Sequence, residues 1–144
     1  MHGRPPTHWE FVHDEVSYNY RLPNINAAVG CAQMESFASV LENKCETARI
    51  YQEFFEKVDV SFISEPENAQ SNYWLNAIVL MDRKERDAIL EASNASGVQT
   101  RPVWALMNHL PMYSNCQTTT IDTAQWLEDR LINIPSSVRK DIAN

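Results

Sequence analysis

Asn19 and Arg21 stand two residues apart in the run Ser17-Tyr18-Asn19-Tyr20-Arg21-Leu22-Pro23-Asn24. On an extended strand that spacing places both on one side. The Asn19 amide offers two donors to phosphate oxygens without adding charge. The Arg21 guanidinium can hold a carboxylate or a diphosphate through two parallel bonds. A second stretch of interest is Gly97-Val98-Gln99-Thr100-Arg101-Pro102-Val103-Trp104, followed by His109, Leu110, Pro111, Met112 and Tyr113. Each residue also has a plainer reading. Asparagine in a tyrosine-rich strand is commonly a turn or edge residue, and Arg21 suits a surface ion pair. Tyr18 and Tyr20 suit core packing, Trp104 suits packing under a sheet, and Arg101 suits pairing with an acid.

The glycine count narrows the chemistry. Gly3, Gly30 and Gly97 are all there are. Backbone cradles for phosphate need glycine for tight turns and close approach, so a P-loop and a GxGxxG fingerprint are both excluded. Any phosphate must be held by side chains. Cys31, Cys45 and Cys116 have no metal-ligand spacing, and an odd, sparse count argues for buried free thiols in a reducing compartment. No metal site is expected. His2, His8, His13 and His109 have no serine or cysteine in a recognisable nucleophile setting. His13-Asp14-Glu15 reads as a solvated acidic feature.

The elements that must position these residues can be read from periodicity. Residues 1–14 are irregular, and Val16 to Leu22 is a short extended piece. Pro23 stops it, and Asn24 is the expected N-cap of a helix carrying Ile25, Ala28, Val29 and Ala32. The small residues Ala27, Ala28, Gly30 and Ala32 invite a close helix contact. A longer helix follows, with Phe37, Leu41, Ala48, Tyr51 and Phe55 on its apolar stripe and a charged opposite face that includes Lys44. Val58 to Ile63 reads as a strand, Ser64 to Ser71 as a loop, and Tyr73 to Met81 as the central strand. Asp82 and Glu85 open a helix as a capping box, and Gly97 ends it. Val98 to Val103 reads as an edge strand because of Pro102. A long loop from Leu106 to Thr118 leads to a helix capped by Thr119 or Thr120, and Leu131 to Ile134 is a last short strand. The fold class is α/β of the α+β kind: a small mixed or antiparallel sheet with helices packed on one face.

The run from Ser17 to Glu35 closely resembles the segment that joins the large and small domains of the DegT–DnrJ–StrS sugar aminotransferases, which are pyridoxal-phosphate (PLP) enzymes of fold type I. The family reads Gly-Tyr-Asn-Tyr-Arg, then N-A-A-x-G-x-A-Q-x-E; Ser17 stands where the family has glycine. The resemblance implies that Asn19 reaches across a dimer interface to the PLP phosphate of the neighbouring subunit, and that Arg21 lies close to the active site. It also extends to the G-[IV]-x-T-R stretch at Gly97 and to the segment around His109. It makes Arg101, Trp104 and His109 candidates for the sugar-nucleotide end of the site. RPVWALMNHLPMY looks like the subgroup that makes legionaminic-acid-type or bacillosamine-type sugars. The family's PLP lysine precedes the YNYR segment. The lysines here are Lys44, Lys57, Lys84 and Lys140, and none is in a PLP-lysine context. The resemblance thus implies a C-terminal small domain, residues 24–144, behind a lead-in and interdomain strand, residues 1–23. Such a chain is expected to bind no cofactor and to be inactive by itself.

Bulk properties bound the partners. The chain has 144 residues, a net charge of −7 and a 44% apolar content, enough for one domain with a core. Its basic residues do not cluster, which argues against nucleic acid. No apolar run approaches the roughly 18 residues of a membrane span. The N-terminal MHGRPPTHWEF has no apolar signal region, so a cytoplasmic location is expected. Two further readings stand beside the orphan domain. One is a free-standing binding or homodimeric assembly module; the other is a split enzyme whose large domain is a separate chain.

Overall fold

The computed structural model describes residue 16 and residues 22–139. The order of elements is α1 (Asn24–Glu35), α2 (Phe37–Lys57), β1 (Ser61–Phe62), β2 (Asn76–Val79), α3 (Arg83–Ala95), β3 (Arg101–Pro102), α4 (Asp122–Glu128) and β4 (Leu131–Ile134), with two 3-10 turns, Met107–His109 and Pro111–Tyr113, between β3 and α4. The four strands form one fully antiparallel sheet in the order β1-β2-β4-β3. The expected succession of helices and strands holds, and so does the fold class. The two inner strands carry the core. Ile78, Leu80, Ile132 and Ile134 meet Leu90 of α3, while Tyr51 and Phe55 of α2 close the same cluster. Both helices therefore cover one face of the sheet. Among the described residues no helix is long and apolar enough to cross a membrane.

Several strands are shorter than the periodicity predicts, for identifiable reasons. The Val58–Ile63 strand shrinks to Ser61–Phe62 because the end of α2 consumes Val58 to Val60. Asp59 takes a left-handed φ of 56°, and the N–H groups of Val58 and Val60 both return to the Phe55 carbonyl. The Tyr73–Met81 run pairs only from Asn76. Ahead of it the Ser71 hydroxyl accepts from the Tyr73 N–H, the Asn72 side chain accepts from the Trp74 N–H, and Tyr73 sits at φ 43°. This side-chain-locked turn competes with the ladder. Pro102 does confine its strand to the sheet edge.

The ends of α3 follow their expected chemistry. The Asp82 side chain accepts from the Glu85 N–H at 2.8 Å, and Glu85 reaches back to the N–H of Met81, one residue before the cap. Gly97, at φ 79°, completes a Schellman ending: Val98 N–H bonds the Ser93 carbonyl and Gly97 N–H bonds that of Asn94. Two other caps differ. Asn24 is the first residue of α1 and Pro23, extended at ψ 155°, precedes it with no side-chain bond. The last helix begins after Ile121, so neither Thr119 nor Thr120 caps it. The three cysteines are free but exposed, not buried. Cys31 lies on α1, which buries no residue, and Cys116 lies in the loop after the second 3-10 turn.

Candidate functional site

A cleft of about 660 Å³ opens at the end of β4, alongside β3, within the size range of small-molecule sites. Three segments line it: Trp74–Leu75 before β2, residues 97–105 around β3 with Thr100 set back, and Asn133–Ser137 at the end of β4. The tryptophans face one another with ring centroids 6.3 Å apart and planes 26° apart, yet they remain 66% (Trp74) and 59% (Trp104) exposed. Two large exposed aromatics side by side make a flat apolar wall of the kind that takes a planar ligand.

Among the described residues Arg101 is the one charged residue of the cleft lining, in a chain of net charge −7. No acid pairs with it among the described residues. One guanidinium nitrogen donates to the Asn94 side chain at 3.0 Å and to the Thr100 carbonyl at 2.9 Å. Those bonds hold the fork in place, and neither partner carries a charge. A lining with one cation and no carboxylate favours an anion. The plainer readings of these two residues therefore do not describe the geometry: Arg101 is not ion-paired to a described acid, and Trp104 is not packed under the sheet.

His109 does not join them. It is absent from the cleft lining, and its Nδ1 lies 3.3 Å from Glu128 Oε2. Glu128 also accepts from the Leu106 N–H and from the Gln125 amide, so this group ties the 3-10 turns to α4. Asn19 and Arg21 lie outside the described residues, as do most of residues 1–23. Trp74 was legible only as part of an apolar run. The signal against that reading is Ser71-Asn72 just ahead of it, a pair that turns the chain.

Lys44 differs from its expected place on a charged outer face. Its ammonium donates to the carbonyl of Ser136 at 2.5 Å and to that of Trp74 at 3.3 Å. Burial lowers its pKa from the usual lysine value. Tyr51, whose hydroxyl donates to the Pro135 carbonyl at 3.0 Å, has its pKa raised by burial. Lys57 and Lys84 are exposed, and among the described residues no lysine lines the cleft. The described residues thus do not make a PLP site, since that cofactor needs an amine to bond covalently. Nor does any group of three or more His, Cys, Asp or Glu among them suit a metal ion.

Known proteins bear on this geometry. The sequence pattern of the DegT/DnrJ/EryC1/StrS aminotransferase family matches residues 1–141. The GDP-perosamine synthase of Escherichia coli O157:H7 is 33% identical over 129 residues, covering 90% of this chain and 35% of that protein. The GDP-perosamine synthase of Vibrio cholerae is 31% identical over 127 residues, covering 86% of this chain and 35% of that protein. The chain therefore spans about a third of the length of these relatives. A crystal structure of a DegT DnrJ EryC1 StrS aminotransferase from Brucella abortus superposes with a TM-score of 0.73 at 21% identity, over 99% of this chain and 37% of that one. With the pattern running across nearly its whole length, this chain belongs to the DegT/DnrJ/EryC1/StrS aminotransferase family.

Proposed function

We propose that these residues form the small-domain part of a nucleotide-sugar aminotransferase, and that the Trp74–Trp104 cleft receives the nucleotide end of the substrate. One observation supports this above others: an exposed aromatic wall beside a guanidinium that, among the described residues, is the lining's one charge and has no acid partner. A base needs a flat apolar face and a diphosphate needs a fixed cation, and Trp104 and Arg101 offer both. The names of the relatives favour a GDP-linked keto-sugar. A legionaminic-acid-type or bacillosamine-type acceptor rests on the RPVWALMNHLPMY resemblance alone. Asn19 is assigned to the PLP phosphate of a neighbouring subunit, Arg21 to the substrate nearby, and His109 to holding the 3-10 turns rather than to the ligand. Amino transfer from glutamate requires a lysine supplied from elsewhere, by a large domain in the same or a separate polypeptide, in a reducing cytoplasm.

The test is a titration of the whole chain with GDP, read by tryptophan fluorescence. We expect saturable quenching, weakened about tenfold or more by Arg101→Ala, the size of one or two charge-assisted hydrogen bonds. Trp104→Ala is expected to weaken it similarly. No saturation, or equal affinity in the variants, contradicts the reading.

A second reading is favoured by α1. The helix buries no residue, and Ile25, Val29 and Met34 are all exposed. A β-carbon added at Gly30 would meet nothing within 4 Å. An apolar helix with so little cover is a docking face for a second copy of the chain or for the large domain. Sedimentation equilibrium is expected to report a dimer that Ile25→Glu converts to monomer. A monomer at all concentrations excludes the homodimer.

A further inference from the structure

We infer that Lys44 is a positioning residue of the cleft: its ammonium joins the backbone of two cleft segments, at Trp74 and at Ser136, and so sets the Trp74 ring against Trp104. The register explains why a side chain is needed there. β2 and β4 pair at Asn76 with Ile134, and continuing outward would bring Trp74 opposite Ser136. The ladder stops short of that pair. Pro135 has no N–H to give, and Tyr73 turns the chain away at φ 43°. The carbonyls of Trp74 and Ser136 both turn to the same ammonium, so Lys44 supplies the cross-strand tie that the backbone no longer can.

Neighbouring bonds hold the Ser136 side of this tie. Its hydroxyl accepts from the Asn76 N–H at 2.7 Å, and the Tyr51 hydroxyl holds the preceding carbonyl, that of Pro135. The Trp74 side has less support. Its turn rests on Ser71 and Asn72 side chains and on a left-handed tyrosine, a conformation a bulky residue keeps only when its surroundings impose it. Among the described residues no carboxylate pairs with Lys44, so its partners are the two carbonyls. Lys44 is partly buried in this place rather than extended into solvent.

The test is nuclear magnetic resonance of the indole groups, with no ligand present. The chain has four tryptophans, and Trp126 on α4, outside the cleft, serves as the internal reference. Lys44→Met keeps the aliphatic stem and removes the donor. We expect it to abolish the inter-ring cross-peaks between Trp74 and Trp104 and to shift both indole signals, while Trp126 stays in place. Lys44→Arg, which restores a donor, is expected to recover the cross-peaks. Cross-peaks and shifts unchanged in Lys44→Met overturn the assignment. If Lys44→Met does not fold, the wild-type chain decides: scalar coupling across hydrogen bonds from the Lys44 ammonium nitrogen to both the Trp74 and the Ser136 carbonyl carbons supports the tie, and the absence of either overturns it. The consequence for ligand affinity rests on the nucleotide reading above. A chain that binds no GDP but loses its cross-peaks in Lys44→Met refutes that reading and keeps this one.

Discussion

Arg101 and Leu90 mark the two kinds of residue on which this chain depends. Leu90 is fully buried, at 0% exposure, where α3 meets the inner strands. Leu90→Ala is expected to destabilise the fold by about 2–5 kcal/mol, the range for large-to-small changes in packed cores, as read from urea unfolding. Arg101 is half-buried and bonded to neutral groups, so its loss should weaken anion binding with a smaller effect on folding. Arg101 and Trp104 were singled out by the family resemblance rather than by spacing, and both line the cleft. His109, named by the same resemblance, lies outside that lining; its neighbour Glu128 is 19 positions downstream and meets it only when α4 folds back, which spacing does not report. Trp74 and Lys44 were misassigned for a shared reason. Periodicity assigns a side chain to a face, but here a turn locked by Ser71 and Asn72 rotates Trp74 out of the strand, and the carbonyls so released draw in Lys44.

At the scale of elements, punctuation was more legible than length. The two ends of α3 were readable because Asp82, Glu85 and Gly97 act through local backbone bonds. Gly97→Ala tests this. The added methyl meets nothing within 4 Å, but φ at 79° is left-handed, so the change is expected to cost about 1–2 kcal/mol through backbone strain alone. Thermal unfolding measures it, and an unchanged midpoint would mean that the helix end shifts to relieve the strain. Strand lengths were less legible, because Asp59 and Tyr73 adopt left-handed backbones that hydrophobic patterning does not report. On α2, the hydrogen bond from Arg49 holds the Glu46 carboxyl below its usual value of 4.5. A depressed carboxylate contributes stability above its unfolded pKa and loses it as the pH falls through the folded one. The wild-type chain is therefore expected to lose a small increment of stability below pH 4.5 that Glu46→Gln lacks. Both partners are well exposed, so salt should shrink the difference.

At the scale of the whole molecule, the fold class was legible because the succession of periods admits few packings: helices of one-sided stripe must cover one face of a small sheet. The family resemblance carried more than the physics could. Composition and spacing alone reach an α+β domain with side-chain phosphate chemistry; the family comes from the sequence pattern shared over residues 1–141. The cleft joins the two levels. Its base-sized apolar wall comes from two segments 30 residues apart, Trp74 and Trp104, brought together by the strand order. The most direct measurement is the nitrogen–proton spectrum of the whole chain during a GDP titration. The account predicts saturable shifts at the indole N–H groups of Trp74 and Trp104 and at the Arg101 side chain, with Trp126 unmoved. Shifts centred on other residues, or none at saturating GDP, would contradict it.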